Sequence, residues 1–230
     1  MEANEEKPDL VTIMASSIHD MKNSVCILVD GLERMLGNPV LEGLEERRDV
    51  VHMVYETKRI NSNLMLMLTL YKVGNHMYPF DPQPQSIEDF LSAIAAQNKP
   101  LLDNRNIELA LECDDNLFGN FDEDLVAGVI GHAVNNAIHY TRDKIRLAIQ
   151  QVDGWLEIRV EDNGTGYPPR MIQEGVDAMR GVDFSSGSTG LGLYFSAVVA
   201  KMHRHRGIQG EIFLENGGAY GGGCFVLRLP

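Results

Sequence analysis

Four stretches of this sequence carry residue types that could do chemistry together. Ser17-Ile18-His19-Asp20-Met21-Lys22-Asn23-Ser24 sets an imidazole beside a carboxylate, with an amide one helical turn further on. His19 flanks an apolar stripe, so its ring can reach water; alone it reads as a solvated histidine on an amphipathic helix. Asp162-Asn163-Gly164-Thr165-Gly166 follows a strand-like run ending at Glu161. An aspartate there can accept a hydrogen bond from an exocyclic amine, and the glycines let backbone approach a flat ring or a phosphate. The same residues also make ordinary turns. Gly187-Ser188-Thr189-Gly190-Leu191-Gly192-Leu193 precedes an apolar helix, whose free N–H groups and dipole would face an anion. It is neither a Walker loop nor a dinucleotide fingerprint, and its plain alternative is a glycine-rich loop before a core helix. Asn135-Asn136-Ala137-Ile138-His139-Tyr140-Thr141 closes a helix. Asn136 can offer a carbonyl oxygen to Mg²⁺, a hard cation that takes few protein ligands beside phosphate oxygens.

These groups need elements to position them. Val11, Ile18, Val25 and Leu32 form one apolar row, and Met14, Met21, Leu28 and Met35 a second. The alternating steps of three and four predict a bundle helix from a cap at Asp9 to Leu36, with Gly37 as its left-handed end. Asn38-Pro39 predicts the start of a second helix that runs to Val73 and stops at Gly74. Its seam is Val50, Met53, Thr57, Ile60, Leu64, Met67 and Tyr71, widened by Leu44, Val51, Val54, Met65 and Leu68. Residues 9–73 thus read as a helical hairpin whose stripe is too wide to bury against itself. A second copy would cover it, giving a homodimeric four-helix bundle.

Residues 74–85, with Pro79, Pro82 and Pro84, read as a semi-rigid linker. Ser86 and Asp89 suggest a capping box for a helix toward Lys99, bent or ended by Pro100. Residues 107–113 alternate as a strand, and a helix runs from Asp122 to Tyr140. A hairpin joins Lys144–Val152 to Trp155–Glu161 across Asp153-Gly154. Lid-like material follows at 167–187, then a helix from Thr189-Gly190 to Met202 and two strands near 210–215 and 223–229. The fold class is α+β: the hairpin, then an α/β sandwich over residues 86–230.

The net charge of −13 argues against non-specific binding to nucleic acid or to an anionic membrane surface. A hydrophobic content of 44% is enough for packed cores. Cys26, Cys113 and Cys224 are far apart and read as small core residues in a reducing compartment. The acidic start, Met1 to Asp9, does not read as a signal peptide, and no apolar run spans a bilayer, so a cytoplasmic location is expected.

The order of the three downstream motifs, ending in Gly221-Gly222-Gly223-Cys224-Phe225-Val226-Leu227-Arg228-Leu229-Pro230, resembles the bacterial sensor histidine kinases, whose ATP-binding domain is of the GHKL (Bergerat) type. The likeness covers about residues 9–230. It implies a dimerisation and phosphoacceptor hairpin over 9–73, a linker over 74–85 and an ATP-binding domain over 86–230. His19-Asp20-x-x-Asn23 is similar to the family's phosphoacceptor box, and Asn136 falls on its Mg²⁺-binding asparagine. Asp162 falls on its adenine-binding aspartate; Gly164 and Gly166 match its first glycine box, and Gly187, Gly190 and Gly192 its second. Phe184 resembles the aromatic of its lid. The resemblance implies that ATP and Mg²⁺ bind among His132, Asn136, His139, Tyr140, Asp162, Gly164, Gly166, Gly187, Thr189, Gly190, Leu191 and Gly192. The γ-phosphate would pass to His19, with Asp20 orienting the imidazole and taking its proton, and then to an aspartate of a response-regulator receiver domain. Asn23 matches the family position that orients a water for dephosphorylating that regulator, which implies a phosphatase activity.

The sequence departs from the family pattern at three places. His132 stands where the first asparagine of the box is usual. Ser24 replaces a proline after the acceptor box, which should remove a helix bend. The segment Tyr167 to Ser186 is short for an ATP lid. With no sensor segment read in the sequence, the signal is expected from a partner, such as a separate sensor protein, or from a state of the linker and bundle. An alternative is an ATP-independent dimeric histidine phosphotransfer protein with a kinase-like but inactive C-terminal domain. The retained Asp162, Asn136 and glycines weigh against it, and His132 and the short lid weigh for it. A serine kinase or regulator of the anti-sigma type shares the ATP-binding fold but needs no hairpin bearing His19.

Overall fold

The protein is described from a computed structural model, which describes residues 10–41, 44, 46–174 and 190–230. It divides into two compact units, Met1–Pro79 and Phe80–Pro230.

The first unit is a pair of long helices, α1 (Leu10–Leu36) and α2 (Glu46–Gly74). α1 ends at Leu36, with the Gly37 N–H on the Glu33 carbonyl, but Gly37 is not in the left-handed region expected of it: the bond closes the last turn without one. The second helix starts later than Asn38-Pro39 predicts. Pro39–Leu41 forms only a 3₁₀ turn, held by Val40 N–H donating to the Asn38 side chain, and α2 begins at Glu46. A cap and a proline start a turn, but Leu44 is already outside helical conformation. The proposed cap at Asp9 and the tail before it lie outside the described residues. Of the two apolar rows in α1, Ile18 is buried against α2, whereas Met21, Leu28 and Met35 stay exposed. In α2, Val50, Val54 and Leu64 are buried and Met53, Ile60 and Met67 are exposed. No described helix is long and apolar enough to cross a membrane.

The second unit holds α3 (Ile87–Arg105), α4 (Glu123–Tyr140), the short α5 (Pro169–Glu174) and α6 (Leu191–Met202). Its main sheet has five strands in the order β2 (Glu108–Cys113), β4 (Lys144–Val152), β5 (Trp155–Asp162), β9 (Gly222–Leu229), β8 (Glu211–Gly217). Only β2 and β4 are parallel. β1 (Gln83–Ser86) pairs with β3 (Phe118–Phe121), and β6 (Arg204–His205) pairs with β7 (Ile208–Gln209). Residues 83–85, placed by sequence in the linker, are therefore part of a strand with Ser86; Pro84 is tolerated there because the sheet has two strands and both are edges. Strands β3, β6 and β7 are too short to show a periodic pattern.

α3 does not stop at Pro100 but runs through it to Arg105. Phe90, Leu91, Ile94 and Leu102 bury one face of this helix, which outweighs the roughly 3 kcal/mol an interior proline costs. Ser86 caps α3 by accepting from Asp89 N–H. The β4–β5 hairpin turns through Asp153 and Gly154, both at positive φ, as a two-residue primed turn requires. Ile145, Leu147, Ile149, Ile158, Val160, Phe225, Leu227 and Leu229 line one sheet face and are buried. The other face carries a chain of ion pairs: Glu112–Arg146–Glu161–Arg159–Glu157–Arg228. Glu157 and Glu161 are nearly fully buried in it. Burial alone would raise both carboxyls; the arginine bonds, and for Glu161 the Ala219 N–H, hold them below the ordinary range.

Candidate functional site

In the second unit, the end of α4, the end of β5 and the start of β9 converge on Asp162. This carboxylate is buried, and Oδ1 accepts from Gly164 N–H at 2.6 Å and Gly223 N–H at 3.2 Å. The packing leaves no room for side chains around it. A Cβ at Gly164 would strike the Tyr140 carbonyl, and one at Gly222 would strike the Asp162 carbonyl. A Cβ at Gly223 would sit 2.9 Å from Asp162 Oδ2. Gly222 and Gly223 therefore shape this site although sequence reasoning gave them no role in it; the signal was the glycine run opening the last strand.

The loop after Asp162 is held by two asparagines. Asn163 Oδ1 accepts from Thr141 Oγ1 and from the backbone N–H of Arg142, Asp143 and Lys144, fastening the α4–β4 turn to the end of β5. Asn216 accepts from Tyr167 N–H and donates to its carbonyl, and Gly166, at φ +78°, passes against that amide. Burial, with the Asp162 charge adding to it, raises the Tyr167 phenol, so it stays protonated.

One turn before the end of α4, Asn136 Nδ2 lies 3.1 Å from His132 Nε2. Burial pushes the His132 imidazole down to about 4, so it is neutral at ordinary pH and its Nε2 lone pair accepts the amide N–H. The same ring lies against Gly192, where any Cβ would land on it. His139 and Tyr140 stack edge to face at 4.7 Å and are exposed. Gly190, at φ +61°, precedes α6 and leaves it without a side-chain cap; Leu191 is half-buried. Gly187, Thr189 and Phe184, and with them most of the lid, lie outside the described residues. Among the described residues no group of three or more His, Cys, Asp and Glu could hold a metal ion, so a cation here would rest on Asn136 and on ligand oxygens.

In the first unit, His19 is exposed on α1. Its Nδ1 lies 3.3 Å from Asn23 Nδ2 and 3.7 Å from Asp20 Oδ1, the latter within ion-pair reach but longer than a hydrogen bond. With both neighbours on Nδ1, Nε2 is the nitrogen left to a partner. Ser24 donates to the Asp20 carbonyl and α1 continues through it without interruption.

Residues 121–230 match the family of histidine kinase-, DNA gyrase B- and HSP90-like ATPases. The chain is 26% identical over 201 residues to the phosphate regulon sensor protein PhoR of Pseudomonas aeruginosa, an alignment covering 84% of this chain and 45% of that protein. It is 21% identical over 223 residues to the sensor protein SrrB of Staphylococcus aureus, covering 94% of this chain and 37% of that one. The chain thus spans less than half the length of either relative. The fold is shared with the catalytic domain of histidine kinase ThkA, at TM-score 0.54 and 18% identity over 65% of this chain and 96% of that one. It is shared with full-length ShkA in complex with AMPPNP, at TM-score 0.60 and 19% identity over 94% of this chain and 45% of that one. Asp162, Gly164 and Tyr140 thus lie together, and His132 touches both Asn136 and Gly192, joining α4 to the start of α6.

Proposed function

We propose that this protein is an ATP-dependent protein-histidine kinase of a two-component system. The single observation that carries the reading is the buried Asp162. Its Oδ1 is held by two backbone N–H groups and glycines close around it, which fits recognition of an exocyclic amine on adenine better than a structural turn does. The residues also fit Mg²⁺: the Asn136 amide, with Nδ2 engaged by His132, has its carbonyl oxygen left for a hard cation. Bound there, Mg²⁺ would offset negative charge on the nucleotide phosphates.

The acceptor is His19. Its Nε2 attacks the γ-phosphorus of ATP; the N–P bond forms as the bond to the bridging oxygen breaks, ADP leaves, and the Nδ1 proton passes to Asp20. The Asn23 amide donating to Nδ1 keeps the imidazole proton on Nε2, so the reaction needs Nδ1 to exchange Asn23 for Asp20. The phosphoryl group then moves to an aspartate of a response-regulator receiver domain. Asn23, beside the acceptor, supports a second activity, positioning water for dephosphorylation of that regulator. The exposed rows on α1 and α2 support a homodimeric four-helix bundle. The ATP-independent phosphotransfer alternative is less well supported, because a chain released from ATP binding has no need of the glycine packing around Asp162.

The test is incubation with γ-labelled ATP and Mg²⁺, for wild type and His19→Ala together. Acid-labile, base-stable label on wild type alone is the expected result. No label on either, with label on His19 once an active kinase and a receiver domain are added, would replace this reading with the phosphotransfer one.

A further inference from the structure

His132 occupies a position where a ligand to the cation or a phosphate would be expected, but its surroundings give it different work. Its Nε2 is already engaged: it takes the Asn136 amide N–H at 3.1 Å, and the ring tip lies on Gly192. An imidazole whose Nε2 accepts carries its proton on Nδ1 and has no lone pair free for a metal. An amide that donates Nδ2 to one partner presents Oδ1 at the other end of the same planar group, away from that partner. Asn136 Oδ1 accepts from no described residue, and no buried side-chain oxygen among the described residues lacks a partner. It therefore opens to solvent, where a cation can reach it.

We propose that His132 is a positioning residue: it fixes the rotation of the Asn136 amide so that the carbonyl oxygen faces the cation, and its ring is the seat on which Gly192 sets the start of α6. One imidazole thus ties the cation-binding helix to the glycine box. Groups that orient a metal's ligand through a hydrogen bond typically matter 10- to 100-fold in metal affinity. The inference rests on the reading of this unit as an ATP–Mg²⁺ site.

The experiment measures affinity of the full chain for AMPPNP with Mg²⁺ and with EDTA, taking the ratio as the gain due to the cation. Replacing His132 by Leu is expected to lower that ratio about 10-fold, and His132→Gln, whose carbonyl can accept the same N–H, to restore most of it. In an Asn136→Ala background, His132→Leu should reduce the ratio no further, since it acts only through that amide. A further loss in the double variant would mean the imidazole binds the cation itself and would overturn the proposal, as would an unchanged ratio in His132→Leu. A wild type that binds no nucleotide under either condition overturns the kinase reading and this inference with it. Wild-type binding with indifferent His132 variants overturns the inference alone.

Discussion

At the scale of single residues, two close contacts make sharp expectations. Gly164 has the Tyr140 carbonyl where a side chain would begin, so Gly164→Ala must push α4 and the β5 end apart. Overpacking of this kind destabilises by about 1–3 kcal/mol. We expect a lowered thermal midpoint and loss of nucleotide binding, read by melting with and without ADP. A folded variant with full affinity would show that the glycine is not required for the site. Asn23 acts on a tautomer. Removing its N–H from His19 Nδ1 loses a hydrogen bond worth about 1 kcal/mol, which is roughly fivefold in rate if it opposes the reactive form. Asn23→Ala should therefore label faster with γ-labelled ATP, by up to about fivefold, while losing dephosphorylation of its regulator. Slower labelling would show that the amide assists the transfer instead.

At the scale of elements, α3 and the α4–β4 turn show tertiary packing and local chemistry pulling in different directions. Pro100 lies within α3 and removes one backbone hydrogen bond that any other residue would make. Pro100→Ala is expected to raise the stability of the second unit by about 1–3 kcal/mol, measured by urea denaturation. A decrease would mean the ring is needed in the packing beside α3. The turn after α4 works the other way: a single side chain, Asn163, satisfies a row of backbone donors and ties two elements that carry site residues. A motif read as nucleotide chemistry is thus divided, with Asp162 at the proposed nucleotide site and Asn163 holding the frame.

At the scale of the molecule, charge and exposed apolar surface decide behaviour. The folded second unit holds His132 neutral down to about 4, and burial also lowers His203. The unfolded chain takes up those protons near 6.5, so stability is fully present above that value and falls as pH drops below it. Glu157 and Glu161 lie below their ordinary 4.5, so they add a further loss as pH falls from there through their folded values. Urea midpoints at pH 7.5, 5.5 and 4 should decline in that order, and a flat series would contradict the burial of these groups. In the first unit Leu28 and Ile60 remain 58% and 49% exposed, on rows that alternate with buried ones. We expect Leu28→Glu to turn a dimer into a monomer in sedimentation, with the helical content of the hairpin largely kept; a wild-type monomer would remove the bundle from the account.

What the sequence determined by itself follows from strong local rules. Seven-residue spacing from Val11 to Met35 specifies a helix, Asp153-Gly154 specifies a tight hairpin, and the ordered glycine and asparagine motifs lie in the stretch, residues 121–230, that matches the histidine kinase-, DNA gyrase B- and HSP90-like ATPases. Local rules fail where a neighbour far along the chain has the deciding vote. Nothing near Pro100 announces that core burial will carry the helix past it, and Gln83–Ser86 is a strand only because Phe118–Phe121 lies alongside. Spacing likewise marks His132 and Gly192 as separate motif positions sixty residues apart. Only the fold presses the ring of one onto the backbone of the other, because a hydrogen bond and a missing Cβ are matters of ångströms in space and leave no trace in sequence separation.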